Sequence, residues 1–255
     1  MQIPTLKKLV LALVTFGLTL VAANAQTSLI STGAVWKYLD TGTDEGTAWR
    51  APTFIDAAWL SGPAQLGYGD GDEATTNSYG TNALNKYITY YYRHTFNVPS
   101  AAAFTNLLLR VLRDDGAIVY LNGTEVFRDN MPNGDITYTN LALTAASGGD
   151  ETTNFFPRAI APAGLVDGNN VVAVEIHQSS VDSTDISFDL SLTGNYIPAP
   201  PVVSIGSPTN GAILASAIIS INASASDTDG SVAAVEFYQG TTKLDTDTNS
   251  PFSFA

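Results

Sequence analysis

The chain has 255 residues, no cysteine, and 24 acidic against 11 basic side chains, for a formal charge of −13. The absence of cysteine excludes disulfides, thiolate metal sites and cysteine nucleophiles, and the acid excess argues against nucleic acid and anionic membrane surfaces as partners. Hydrophobic residues make up 45% of the chain, enough for a substantial core.

Residues 1–25 have the order of a secretory signal peptide. Lys7 and Lys8 precede an apolar run over 9–23, which closes on the small-residue site Ala23-Asn24-Ala25. The apolar run is shorter than the roughly 20 residues a membrane span needs. The sequence therefore predicts a secreted protein with no membrane insertion after cleavage. Cleavage removes two lysines and no acid, so the exported chain is more acidic still.

Residues 35–39 (VWKYL) read as a first strand with Trp36 and Tyr38 on one face. A turn-rich acidic stretch follows over 40–49, and 52–60 carries Phe54 and Trp59 as a single helical turn or an extended segment. Residues 62–80 are glycine-rich and poor in apolar side chains, which predicts a long loop of the kind that carries function. In the strand at 87–98, Ile88, Tyr90, Tyr92, His94 and Phe96 share one face, and Tyr87, Thr89, Tyr91, Arg93 and Thr95 the other. Residues 107–128 (LLLRVLRDDGAIVYLNGTEVFR) open on a run apolar on both faces, as in a strand covered on both sides. Asp115-Gly116 and Asn122-Gly123 are hairpin signals, because a type I′ turn needs positive φ at both central positions. The stretch is predicted to be a three-strand antiparallel meander.

Residues 130–153 form a second loop region, 155–160 a short strand and 171–177 (VVAVEIH) a β-branched strand. Residues 186–192 alternate, with Ile186, Phe188, Leu190 and Leu192 inward and Ser187, Asp189 and Ser191 outward, as in a half-buried antiparallel strand. A proline-rich linker over 195–201 separates a first domain (26–194) from a second (202–255). The second shows five strands, near 202–205, 218–225, 232–238, 242–246 and 252–254, with a turn at Asp229-Gly230. An immunoglobulin-like sandwich has about seven strands, so this domain is expected to be incomplete at its C-terminus. The fold class is all-β, with many short strands between Gly, Asn and Asp turns.

The first domain resembles the galactose-binding-like jelly-roll β-sandwich. The resemblance is carried by residues 61–69 (SGPAQLGYG), 113–116 (RDDG), 119–126 (VYLNGTEV), 168–177 (GNNVVAVEIH) and 187–190 (SFDL). These pieces are similar to sugar-binding domains attached to glycoside hydrolases. They also resemble modules of large secreted proteins of environmental bacteria, where they accompany metallophosphoesterases, spore-coat-like kinases and immunoglobulin repeats. The second domain resembles bacterial immunoglobulin-like repeats through 201–205 (PVVSI) and 226–232 (SDTDGSV). The resemblance implies a jelly roll followed by a partial immunoglobulin-like sandwich, with a polysaccharide or a cell-surface glycan as the partner.

Candidate chemistry is of three kinds. Catalysis by a Ser-His-Asp site or a two-metal centre needs oriented histidines. The two present, His94 and His177, lie within predicted strands, and no G-x-S-x-G or H-E-x-x-H occurs, so no enzyme is expected. Metal binding is suggested by Asp70, Asp72 and Glu73, whose alternating carboxylates on the glycine-rich loop suit Ca²⁺. Asp182 with Asp185, and Asp227 with Asp229, are weaker pairs. Sugar binding needs an aromatic ring with a free face. Trp49, Tyr68 and Tyr79 lie in predicted loops and are the stacking candidates, while Trp36 and Trp59 are assigned to the core. His177 and Gln178 end a strand and flank such a site, although His177 also suits a structural role. The expected function is a non-catalytic carbohydrate- or surface-binding module with an immunoglobulin-like spacer. The alternatives are a structural segment of a surface protein and an accessory region of a larger hydrolase such as a metallophosphoesterase.

Overall fold

The computed structural model describes residues 25–149, 153–213, 218–228 and 231–255. All of the expected signal peptide except Ala25, and the turn at Asp229-Gly230, lie outside the described residues. The architecture is all-β and falls into two compact units, Asn24–Ile197 and Pro198–Ala255.

The described residues of the first unit form twelve strands. They are β1 (Ala25–Ile30), β2 (Val35–Leu39), β3 (Leu60–Pro63), β4 (Leu66–Tyr68), β5 (Thr75–Thr76), β6 (Thr89–Val98), β7 (Phe104–Asp114), β8 (Gly116–Leu121), β9 (Thr124–Asp129), β10 (Phe156–Ile160), β11 (Gly168–His177) and β12 (Ile186–Tyr196). One sheet has the order β10-β7-β12-β4-β5, with β1 also paired to β12, and the other has the order β3-β2-β6-β11-β8-β9. The pairings are antiparallel except for β4 with β5.

The core lies between the sheets and follows the period-two pattern of the strands. From β12 come Ile186, Phe188, Leu190 and Leu192, and from β6 come Tyr90, Tyr92, Phe96 and Val98. Trp36 meets Phe188 edge to face at 4.9 Å, and Tyr92 stacks on the same ring at 4.3 Å. Each fully buried aromatic ring contributes about 2–3 kcal/mol of transfer free energy, so this cluster anchors the two sheets together.

The meander prediction fails at its first turn. Asn122 and Gly123 have φ of 50° and 88°, and β8–β9 is the expected hairpin. Strand β7, however, pairs with β10 and β12, while β8 pairs with β11 and β9 in the opposite sheet. Asp115 is therefore a crossover between sheets. Gly116 is required by close approach instead of by a turn: a Cβ there would collide with Met131 Sδ and stand 3.0 Å from the Asn130 carbonyl.

Strand β12 is also more deeply placed than its alternation suggests. Its polar row is covered too, with Ser187, Asp189 and Ser191 all buried. One edge of β12 is shared by two strands, β4 at Ile186–Phe188 and β1 beyond Leu192. In the gap between them the Gly33 N–H donates to both Asp189 carboxylate oxygens, at 3.0 and 3.3 Å. The side chain thus supplies acceptors where no strand backbone reaches. Burial raises the Asp189 pKa to about 6, opposed by the N–H groups of Gly33 and Leu190. Asn195 and Tyr196, expected in the linker, end β12 instead.

The second unit pairs β13 (Val202–Ser207), β14 (Ile221–Ser226) and β17 (Phe252–Phe254) in one sheet. Strands β15 (Val235–Gln239) and β16 (Thr242–Asp247) form a hairpin. Its small core is Ala223, Val235, Phe237 and Phe252.

Candidate functional site

Strand register gathers the candidate residues other than Trp49 at one end of the first unit. Ile186 pairs with Tyr68, Ser187 with Asp114, and His177 with both Thr89 and Gly116. The C-terminal ends of β4, β7 and β11 therefore meet the N-terminal ends of β6, β8 and β12. The segments 69–88, 130–149 and 178–185 emerge together there. Asp115 ties two of them, its carboxylate accepting from the N–H groups of Ala146 and Ser179 at 2.6 Å each.

Tyr79 is the candidate ring that this end leaves open, at 38% exposure. Its ring lies 5.1 Å from that of Tyr68. Lys86 Nζ sits 5.5 Å from the Tyr79 ring and 5.8 Å from the Tyr68 ring, and donates to the Ser183 carbonyl. The ammonium group pins the 69–88 and 178–185 segments together and holds the two rings. No sequence motif marks Lys86; its one signal is isolation within the otherwise uncharged residues 81–90.

The other sugar-site candidates are buried, which corrects the expectation of free faces. Tyr68 is the last residue of β4 and 6% exposed. Gln178 Nε2 donates to its hydroxyl at 2.6 Å, and burial raises the phenol pKa to about 12, opposed by hydrogen bonds with Tyr90 and Gln178. Gln178 is fully buried, and neither its Oε1 nor Nδ2 of Asn77, near Tyr79 in sequence, has a hydrogen-bond partner among the described residues. His177 is fully buried as well. Its Nδ1 lies 2.8 Å from the Asn140 carbonyl, which can only accept, so Nδ1 carries the proton. That is a structural histidine.

Trp49 is the largest departure. It is fully buried, with its ring 4.7 Å from Tyr91 and 5.8 Å from Tyr120, and its indole N–H bound to the Gly46 carbonyl. Residues 40–59 fold down over the outer face of the second sheet, and Met131, Ile136 and Ala142 complete the cover. A loop position in sequence therefore became a core position in space. Beneath this cover Glu175 accepts from Tyr120 Oη at 2.6 Å and from Arg50 at 3.2 Å, with His177 Nε2 3.4 Å from its second oxygen. Arg50 stacks over the Tyr120 ring at 4.3 Å. Glu175 raises the Tyr120 pKa, second to burial itself. This buried charge is paired and hydrogen-bonded, as burial demands.

The expected loop over 62–80 contains the end of β3 and all of β4 and β5, and its acidic apex survives as a turn. Ligand oxygens of Asp70, Asp72 and Glu73 lie within 4.8 Å of one another. Each already accepts a hydrogen bond. Glu73 takes the N–H groups of Asp70 and Gly71 at 2.9 and 3.0 Å, Asp70 takes the Ser187 hydroxyl at 3.0 Å, and Asp72 takes Gln65 Nε2 at 3.3 Å. Burial raises the Asp70 pKa, the Ser187 hydroxyl opposes it, and the charges of Asp185, Asp72 and Glu73 add to it. The donor set is all oxygen, which suits Ca²⁺, and a cation would relieve this crowding. Asp185 stands close by, its Cβ 2.7 Å from where a Gly69 Cβ would be. Asp182 is exposed and bound to the Ser180 hydroxyl at 2.7 Å instead. Of the last pair, Asp229 lies outside the described residues.

The second unit matches the bacterial Ig domain family over residues 201–255. No curated protein matches the chain. Among solved structures, a β-glucuronidase of Bacteroides uniformis is 15% identical over 91% of this chain and 27% of its own, with a TM-score of 0.44. One from an uncultured Clostridium sp. is 12% identical over 90% of this chain and 39% of its own, at 0.40. One from Ruminococcus gnavus is 13% identical over 81% and 34%, at 0.39. The chain thus spans well under half of these structures. Likeness of this degree assigns no activity to it.

Proposed function

We propose that the protein is a secreted, non-catalytic module that binds a neutral glycan, with the bacterial Ig-like unit as a spacer. The observation that carries this reading is the half-open Tyr79 ring, held by Lys86 and Tyr68 where three loop segments converge. A ring with one free face, mounted on a rigid sandwich end, suits stacking on the apolar face of a sugar. The sequence resemblance to sugar-binding jelly rolls supports the same class of ligand. The acid excess disfavours polyanionic glycans, since like charge opposes association. Both histidines are tied to backbone carbonyls, His177 to Asn140 and His94 to Val35, and so are poorly placed as general bases.

A single ring platform implies weak binding, with Kd on the order of 0.1–1 mM. Repetition along a longer chain would raise avidity. The test is affinity electrophoresis of the full chain in gels containing laminarin, xyloglucan, galactomannan or arabinoxylan. Retardation in at least one gel, weakened by Tyr79→Ala without loss of fold, is expected. Free migration in all four would refute the reading.

A further inference from the structure

The outer face of the first sheet carries a polar groove remote in register from the Tyr79 end. It is about 200 Å³ in volume and is lined by Gln26, Asn106, Asn195, Thr193, Leu108 and Ala159, with Leu107 beneath. Register explains the arrangement. Gln26 on β1 pairs with Asn195 on β12, which pairs with Asn106 on β7. Directly paired residues project to the same side of a sheet. Leu107, Leu109 and Leu192 of the alternate rows enter the core, so the amide row projects outward. The next row is Thr193, Leu108 and Ala159, across β12, β7 and β10.

Three carboxamides thus stand side by side on neighbouring strands, about 4.8 Å apart. Gln26 and Asn106 are exposed and Asn195 is half-buried, and none of the three side chains has a hydrogen-bond partner among the described residues. A carboxamide offers two donors and an acceptor, and a threonine hydroxyl offers both roles. Sugar hydroxyls need that mixture. Leu108, 38% exposed, and Ala159 provide an apolar floor for the C–H face of a ring. Among the described residues no charged side chain lines the groove, which selects for a neutral ligand.

We propose that this groove is a second glycan-contacting surface, taking a neutral polysaccharide chain through Gln26, Asn106 and Asn195. The assignment rests on the glycan-binding reading above, but involves none of its residues. It predicts two partial determinants in one unit. The same electrophoresis panel tests it, using the full chain, Tyr79→Ala, the pair Asn106→Ala with Asn195→Ala, and all three changes together. Each lost amide should weaken affinity about fivefold. Tyr79→Ala should keep residual retardation, and the combined variant should migrate freely. Asn106→Ala alone, at an exposed position of β7, repeats the test with the least risk to folding, and thermal melts confirm the fold of every variant. If the groove changes leave retardation unaltered in both backgrounds, the groove is not a site while the glycan reading stands. If the wild-type chain is retarded by no polysaccharide, both fall together.

Discussion

Asp189 allows a quantitative test of how β12 is built. The residue is 3% exposed, its carboxylate accepts from the N–H groups of Gly33 and Leu190, and its pKa is raised from 3.8 to about 6. The folded state therefore binds this proton more tightly than the unfolded chain between about pH 4 and pH 6. With more protons bound in the native state, stability falls as pH rises through that window. Two pKa units correspond to about 3 kcal/mol, an upper limit because water penetration softens burial. Asp189→Asn removes the charge but keeps an acceptor for Gly33. Its fixed cost of altered hydrogen bonding is independent of pH and cancels in a comparison across pH. Urea unfolding followed by tryptophan fluorescence is suitable, since Trp36, Trp49 and Trp59 are all buried in the first unit. The stability of Asp189→Asn relative to wild type should increase by up to about 2 kcal/mol between roughly pH 4.5 and pH 8. A difference that stays flat, or shrinks towards high pH, would refute the assignment of a destabilising buried charge.

Trp49→Ala should destabilise the first unit by about 3–5 kcal/mol, as expected for a buried aromatic ring, whereas Tyr79→Ala should cost under about 1 kcal/mol; paired urea titrations decide this. If Asp70, Asp72 and Glu73 hold Ca²⁺, millimolar Ca²⁺ should raise the melting temperature by native-state binding and Asp72→Asn should remove the increase; unchanged melting in both Ca²⁺ and EDTA would leave a solvated acidic turn. Secreted material should begin at Gln26 by N-terminal sequencing, and retention of Met1 on a membrane-bound form would contradict the export reading.

The strands were legible because their signals are local. The alternation at Ile186 to Leu192, the face assignment of Tyr90 against Tyr91 and the Asn122-Gly123 turn all follow from side-chain period and φ requirements. Strand partners were less legible. Asp115-Gly116 has the letters of a hairpin, yet the glycine is there because Met131 and Ala142 pack against it, a contact made by residues far along the chain. The site suffered most. By sequence Trp49 and Tyr68 are loop residues with free rings; in the fold the first lies under a folded-down excursion and the second ends a strand. Tyr91, Ile118, Tyr120 and Ala173 gave a clue to the cover, since their apolar rows would otherwise face water. The groove at Asn106 could not be read at all without register, because its three amides lie in distant parts of the chain and meet only through β12.

The roofed sheet also bears on how freely the sequence can change. In β6, β8 and β11 residues of both parities are packed, one set against the opposing sheet and the other against residues 40–59 and 131–142. Saturation mutagenesis there should show long unbroken stretches of intolerance, without the every-second-residue rhythm of a surface strand. Strand β7 should behave oppositely near its start: Asn106, Leu108 and Arg110 should accept many replacements for folding, while Leu107 and Leu109 accept few. Selection on folding alone would leave that outward row to drift, so any constraint found there in homologues would have to come from what it touches.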